Sequence, residues 1–155
     1  MTVADGAVLA CAGFLAAVLW MDLIFDTQVV GERGAELPEP ILASIAGYYH
    51  RATTSSRPMG RLIALVMLIL LGALAFQAVT GNEPGWLLVA SAVLAVAPIL
   101  VALRRTVPNA VRLGLRLDTP AEQSRLARAV LLDHLLCLPC ILGLIALWLV
   151  RVASA

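Results

Sequence analysis

Apolar residues in this chain gather into four long runs separated by polar stretches. Ala7 to Phe25 carries one charge, Asp22. Leu62 to Val79 and Trp86 to Leu103 carry none, and Ala129 to Val150 carries only Asp133 and His134. Roughly 20 apolar residues, rising about 1.5 Å each, cross a hydrocarbon layer about 30 Å thick. Inside that layer each backbone group must find its partner within the segment, which makes the spans helices. The pattern therefore predicts an all-α, antiparallel four-helix transmembrane bundle with spans 7–25, 62–79, 86–103 and 129–150. All of 1–155 then forms a single integral membrane domain.

Two further elements follow from the polar stretches. Residues 39–54 read as an extra helix at the cytoplasmic membrane interface, with Ile41, Leu42, Ile45, Tyr48 and Tyr49 on one face and the tyrosines at headgroup level. Pro58 predicts a break before the second span. Thr119-Pro120-Ala121-Glu122 supplies a cap, a proline suited to the first helical position and a glutamate that can reach back to the cap amide. The last helix is thus expected to start near residue 120 and to project about two or three turns beyond the lipid.

Composition agrees with the pattern. The hydrophobic fraction is 61% and the charged fraction 14%, against about 45–50% and about 25% in soluble domains. This excludes a soluble globular domain and a disordered chain, and a net charge of +1 gives no footing for nucleic acid. All 11 basic residues are arginine. Ten of them fall between the first and second spans or between the third and fourth; Arg151 is the exception. The positive-inside rule then puts both long loops in the cytoplasm and both termini outside an inner (plasma) membrane. The short turn Thr80–Gly85 lies outside as well, with Trp86 and Trp148 at that boundary. The first span has no basic residue before it, so it reads as a retained span and not a signal peptide.

The first span has two faces. Gly6, Ala10, Gly13 and Ala17 form a small-residue face suited to close packing. Leu15, Leu19, Asp22 and Asp26 lie nearly opposite. Contact on both faces makes a second copy of the chain a candidate partner, alongside the lipid bilayer.

The predicted connectivity gathers polar residues at the cytoplasmic ends of the spans. Asp22 and Asp26 end the first, His50 precedes the second, Arg104, Arg105 and Asn109 follow the third, and Asp133, His134 and Cys137 belong to the fourth. Charged groups at membrane depth face the bundle interior and pair. Two arrangements meet that demand. One is an ion-pair network in which Asp22 or Asp133 neutralises Arg104 or Arg105. The other is a ligand pocket in which His134 acts as general base or acid beside Asp133 and Asp22, with Asp26, His50, Arg104, Arg105, Asn109 and Cys137 as ligand-binding groups. Two histidines and several carboxylates also suffice chemically for zinc or iron, but no dense ligand motif such as His-Glu-x-x-His is present, and the site is read as holding no metal. No cofactor is specified; haem ligation by His50 and His134 has no attachment motif in support. Cys137-Leu138-Pro139-Cys140 has redox spacing, yet burial disfavours thiolates, and the pair reads as small groups beside a Pro139 kink.

Val107-Pro108-Asn109 after the third span and Asp133-His134 in the fourth resemble the anthrone-oxygenase-like group of small four-helix membrane proteins. That resemblance implies oxidation of an aromatic polyketide in some members. The leading expectation is a cytoplasm-facing pocket that binds or acts on a small hydrophobic molecule, such as a quinone, lipid or polyketide. The alternatives are a proton, ion or small-solute transporter, or a structural subunit of a membrane complex.

Overall fold

In the computed structural model, residues 2–55, 57–81 and 83–154 are described (for Thr54, Ser55 and Arg57 the backbone alone), and all their regular structure is helical. The helices are α1 (Val3–Asp26), α2 (Glu39–His50), α3 (Arg57–Thr80), α4 (Gly85–Val101), α5 (Val107–Leu115) and α6 (Pro120–Ala153). A 3₁₀ turn, Thr27–Val29, follows α1, and π-helical turns cover Arg51–Ser55 and Ala102–Thr106. Four stretches are long and apolar enough to cross a membrane: Val3–Val29, Pro58–Thr80, Gly85–Leu115 and Pro120–Ala153. By length and composition the chain is a multi-pass membrane protein. The predicted turn Thr80–Gly85 includes Asn82, which lies outside the described residues.

Local chemistry sets the helix ends. Thr2 caps α1 in a reciprocal box: its hydroxyl accepts from the Asp5 N–H, and the Asp5 carboxylate accepts from the Thr2 N–H at 2.6 Å. α6 starts at Pro120, near the expected position, with the Thr119 hydroxyl accepting from the Glu122 N–H at 3.3 Å. Only half of the expected box forms there, because Arg125 and Arg112 hold the Glu122 carboxylate.

The third predicted span does not stop at residue 103. It widens into the π turn, where the Val107 N–H reaches the Ala102 carbonyl, and continues as α5. Pro108 lacks an N–H and its ring crowds the carbonyl four residues back; a widened turn relieves both problems. The second π turn likewise stands just ahead of Pro58. The arginines that end the apolar run at residue 104 are good helix formers, so they end the span without ending the helix. α5 ends at Arg116, in the left-handed conformation at φ 53°. Gly85–Leu115 and Pro120–Ala153, with 31 and 34 residues, are about 46 and 51 Å long, beyond the roughly 30 Å of hydrocarbon.

Two apolar clusters hold the bundle. In one, Val8, Leu15, Leu70, Ala95, Leu144 and Trp148 join α1, α3, α4 and α6. In the other, Leu42, Ile45, Tyr49, Leu113, Leu126 and Val130 join α2, α5 and α6. Trp148 is fully buried and donates to Ser91 at 2.9 Å, so its indole faces the bundle interior. Buried pairs of this kind also close the end of the bundle away from Asp26, where Gln77 donates to Asp5 at 2.6 Å and Arg151 grips Glu83 with two bonds. On α1, Ala10, Gly13 and Ala17 are exposed, and no neighbour lies within 4 Å of a methyl built on Gly6 or Gly13. The expected small-residue packing face is therefore turned outward, and α1 packs on α3 and α6 through Val8, Ala12 and Leu15.

α2 lies against α5 at a close crossing: a Cβ on Gly114 would stand 2.7 Å from the His50 backbone nitrogen and 3.0 Å from the Tyr49 carbonyl carbon. Backbone cannot yield as a flexible side chain does. Gly114→Ala is expected to force α2 off α5 and cost about 1–3 kcal/mol, read as a lowered thermal midpoint; an unchanged midpoint contradicts the crossing.

Candidate functional site

Asp22 and Asp26 lie one turn apart on α1, and Tyr48 and Tyr49 lie near the C-terminal end of α2. The Tyr49 hydroxyl donates to Asp26 Oδ1 at 2.7 Å, and the Tyr48 hydroxyl to Asp22 Oδ1 at 2.6 Å. Burial, then the negative charge of the carboxylates, pushes both phenols above their ordinary range, so each stays protonated and donates. Tyr48 also stacks on Phe25, with ring centroids 4.1 Å apart. Both hydroxyls point into the bundle, where the buried Asp26 and the half-buried Asp22 need donors.

His134 reaches the same place from α6. Its Nδ1 lies 2.6 Å from Asp26 Oδ2, and its Nε2 lies 3.7 Å from Asp22 Oδ2. With Asp26 as a carboxylate, which only accepts, Nδ1 carries the hydrogen and donates to it. Asp26 is fully buried and has both oxygens engaged, by Tyr49 and His134. The 3.7 Å to Asp22 is too long for a hydrogen bond. The Tyr49–Asp26–His134 chain therefore fixes the imidazole and leaves Nε2 on the side of Asp22, oriented as a general base or acid requires.

Asp133 belongs to a different group. It pairs with Arg105 at 3.1 Å and accepts from the Thr106 hydroxyl at 3.2 Å, which ties the π turn to α6. The expected ion-pair network is present for Asp133 and Arg105; Asp22 has a tyrosine partner instead of an arginine. Arg104 is exposed and joins no ion pair among the described residues. His50 is exposed and lines neither cavity described below; Asn109 is half-buried and also lines neither. The Cys137 thiol is buried and donates to the Pro98 carbonyl at 3.9 Å. Cys140 is half-buried, both thiols are free, and Pro139 faces outward.

The arginines between Arg112 and Arg128 are engaged within the chain. Arg112 bonds Asp118 and Glu122, Arg125 bonds Glu122, and Arg128 bonds the carbonyls of Glu32, Gly34 and Ala35. Arg116 bonds Glu39 at 2.8 Å and holds its carboxyl below the usual range.

Two cavities adjoin at Asp22 and His134. A narrow one of about 150 Å³ runs between the spans past Leu15, Leu19, Met67, Ile99, Cys137 and Ile141. A wider one of about 610 Å³ is bounded by Tyr49, Thr53, Arg61, Ala102, Val107 and Ala110. Thr106 and Met67 line both. Both π turns thus contribute wall residues: Ala52 and Thr53 from one, Ala102, Leu103 and Thr106 from the other. Among the described residues, no group of three His, Cys, Asp or Glu side chains is arranged to hold a metal ion.

Sequence reasoning named Asp22, Asp26 and His134 but missed Tyr48 and Tyr49 as their partners, and Thr106 and Arg61 as wall residues. A signal existed for the tyrosines. Two adjacent phenols on an apolar helix face, with two buried acids one turn apart on a neighbouring span, are complementary donors and acceptors.

Comparison of the chain with protein-family models, curated proteins and solved structures gave no match.

Removing the central acceptor should be costly. Asp26→Ala strands the Tyr49 hydroxyl and the His134 Nδ1–H in the core, and is expected to destabilise the bundle by about 3–5 kcal/mol, measured by unfolding in mixed micelles. A loss below about 1 kcal/mol, the scale of one ordinary hydrogen bond, contradicts the arrangement.

Proposed function

We propose that the protein binds a small hydrophobic molecule with one polar end, and that His134 exchanges a proton with that end. The observation that carries this reading is the fixed imidazole: Asp26 holds Nδ1, and the other nitrogen lies beside Asp22, which lines both cavities. Nearly every other polar group on the narrow cavity's wall is engaged, Thr106 with Asp133 and Cys137 with Pro98. The ligand's apolar part then lies in the narrow cavity and its polar end at Asp22 and His134. Sites of this make-up, apolar walls with a few convergent polar groups, are typical of small-molecule binding. A buried acid at membrane depth is itself a mark of function.

In this reading the bundle is antiparallel in an inner membrane, with both termini outside and the wide cavity facing the cytoplasm. The arginine asymmetry supports that sidedness. α2 lies at the cytoplasmic interface with its tyrosines inward. The likeness of Val107-Pro108-Asn109 and His134 to the anthrone-oxygenase-like group fits a hydrophobic ligand: Val107 and His134 are cavity-wall residues, although Asn109 is not. A transporter reading is less well supported, since the closed pairs Asp5–Gln77 and Ser91–Trp148 leave no polar path at the far end.

Sidedness is tested by a C-terminal reporter that functions only in the cytoplasm, which should be silent; an active reporter reverses the topology. For binding, radiolabelled 1-decanol should associate with the protein in nanodiscs above the level of empty nanodiscs. Leu19→Trp, which fills the narrow cavity, should weaken that binding by about tenfold or more. No binding above empty nanodiscs, or equal binding to the filled variant, overturns the proposal.

A further inference from the structure

We infer that the polar end of the ligand is a cation, an ammonium-type head held by Asp22; this rests on the cavity reading given above. Three titratable groups meet at the junction of the cavities: Asp22, Asp26 and His134. With one proton added to the neutral imidazole and shared among them, the group carries one net negative charge, wherever that proton resides. Among the described residues, no arginine forms an ion pair with it. Arg105 is held by Asp133, and Arg61, on the wall of the wider cavity, makes no ion pair with Asp22 among the described residues. Tyr48 and Tyr49 supply hydrogen bonds but no charge.

Asp22 is where that charge is least satisfied. Oδ1 accepts from Tyr48, while Oδ2 has only the Nε2 of His134 at 3.7 Å. Asp26, by contrast, has both oxygens bonded, and Asp133 has a guanidinium. On the narrow cavity's wall beside Asp22, Leu15, Leu19, Met67, Pro98 and Ile99 offer neither charge nor hydrogen-bond donors. An uncompensated anion against apolar walls is costly, and a cation arriving with an apolar chain offsets that cost. The wider cavity has room for a substituted ammonium, and the narrow one for its chain. An anionic head would meet the Asp22 carboxylate, with the Asp26 carboxylate one helical turn behind it.

Protons then compete with the ligand. The titratable groups around Asp22 are Asp26 from its own helix, Tyr48 and Tyr49 from α2, Arg61 from α3 across the wider cavity, and His134 and Cys137 from α6; the α4–α5 wall adds no titratable residue among those lining the cavities. A second proton neutralises the carboxylate–imidazole group and removes the attraction for a cation. Acid therefore weakens binding of a cation and leaves a neutral head unaffected.

Three probes with the same chain separate the possibilities: decyltrimethylammonium, 1-decanol and decanesulfonate, each titrated against the protein in nanodiscs with empty nanodiscs as blank. The cation should bind about tenfold or more tightly than the alcohol, the sulfonate more weakly than the alcohol, and the cation's advantage should fade as the medium is made more acidic. Asp22→Asn should abolish the preference for the cation and its pH dependence; if that variant does not fold, the wild-type series alone decides. Alcohol bound as tightly as the cation, or sulfonate bound best, overturns the cationic head while leaving the cavity reading intact. Failure of all three probes overturns both.

Discussion

The contact between His134 Nδ1 and Asp26 Oδ2, 2.6 Å long and shut away from solvent, organises this end of the molecule. Asp26 is fully buried, and an ionised carboxylate there is tolerable only with its oxygens satisfied. One donor comes from α6 and the other, the Tyr49 hydroxyl, from α2. Three elements distant in sequence are therefore pinned to one side chain. α2 is held inward against α1 and α6, and Gly114 lets it lie against α5. The imidazole is held too, so its second nitrogen has one direction left, toward Asp22 and the cavities.

The two π turns bear on the same region. Each stands just before a proline, Pro58 or Pro108, whose missing N–H and bulky ring disturb the regular helix. Each then contributes wall residues to the wider cavity. Thr106 shows how the pieces interlock: it closes one π turn, lines both cavities and donates to Asp133, which Arg105 neutralises.

Much of this was legible in the chain. The four apolar runs, the start of α6 at Thr119-Pro120 and the inward placement of Asp22, Asp133 and His134 follow from span length, capping chemistry and the cost of charge in hydrocarbon. Other features depend on pairings that no local pattern encodes. Arg104 and Arg105 are equivalent as sequence; about 100° of rotation along the helix decides that Arg105 reaches Asp133 while Arg104 faces out. His50 and Asn109 are near the site in sequence terms but on the wrong sides of their helices. Tyrosine's preference for the membrane interface does not say that Tyr48 bonds Asp22 and Tyr49 bonds Asp26. The partners of the arginines on α5 and α6, namely Asp118, Glu122, Glu39 and the carbonyls of 32–35, are likewise set by tertiary packing.

The chain has two histidines, so ¹⁵N-histidine NMR resolves His134 from the exposed His50 with little ambiguity. His134 should show a strongly deshielded Nδ1 proton that exchanges slowly with solvent, and this signal should vanish in Asp26→Asn while His50 is unchanged. A His134 whose two nitrogens exchange freely and titrate alike, as in an exposed imidazole, would contradict the central claim that Asp26 fixes the ring and presents Nε2 to the cavities.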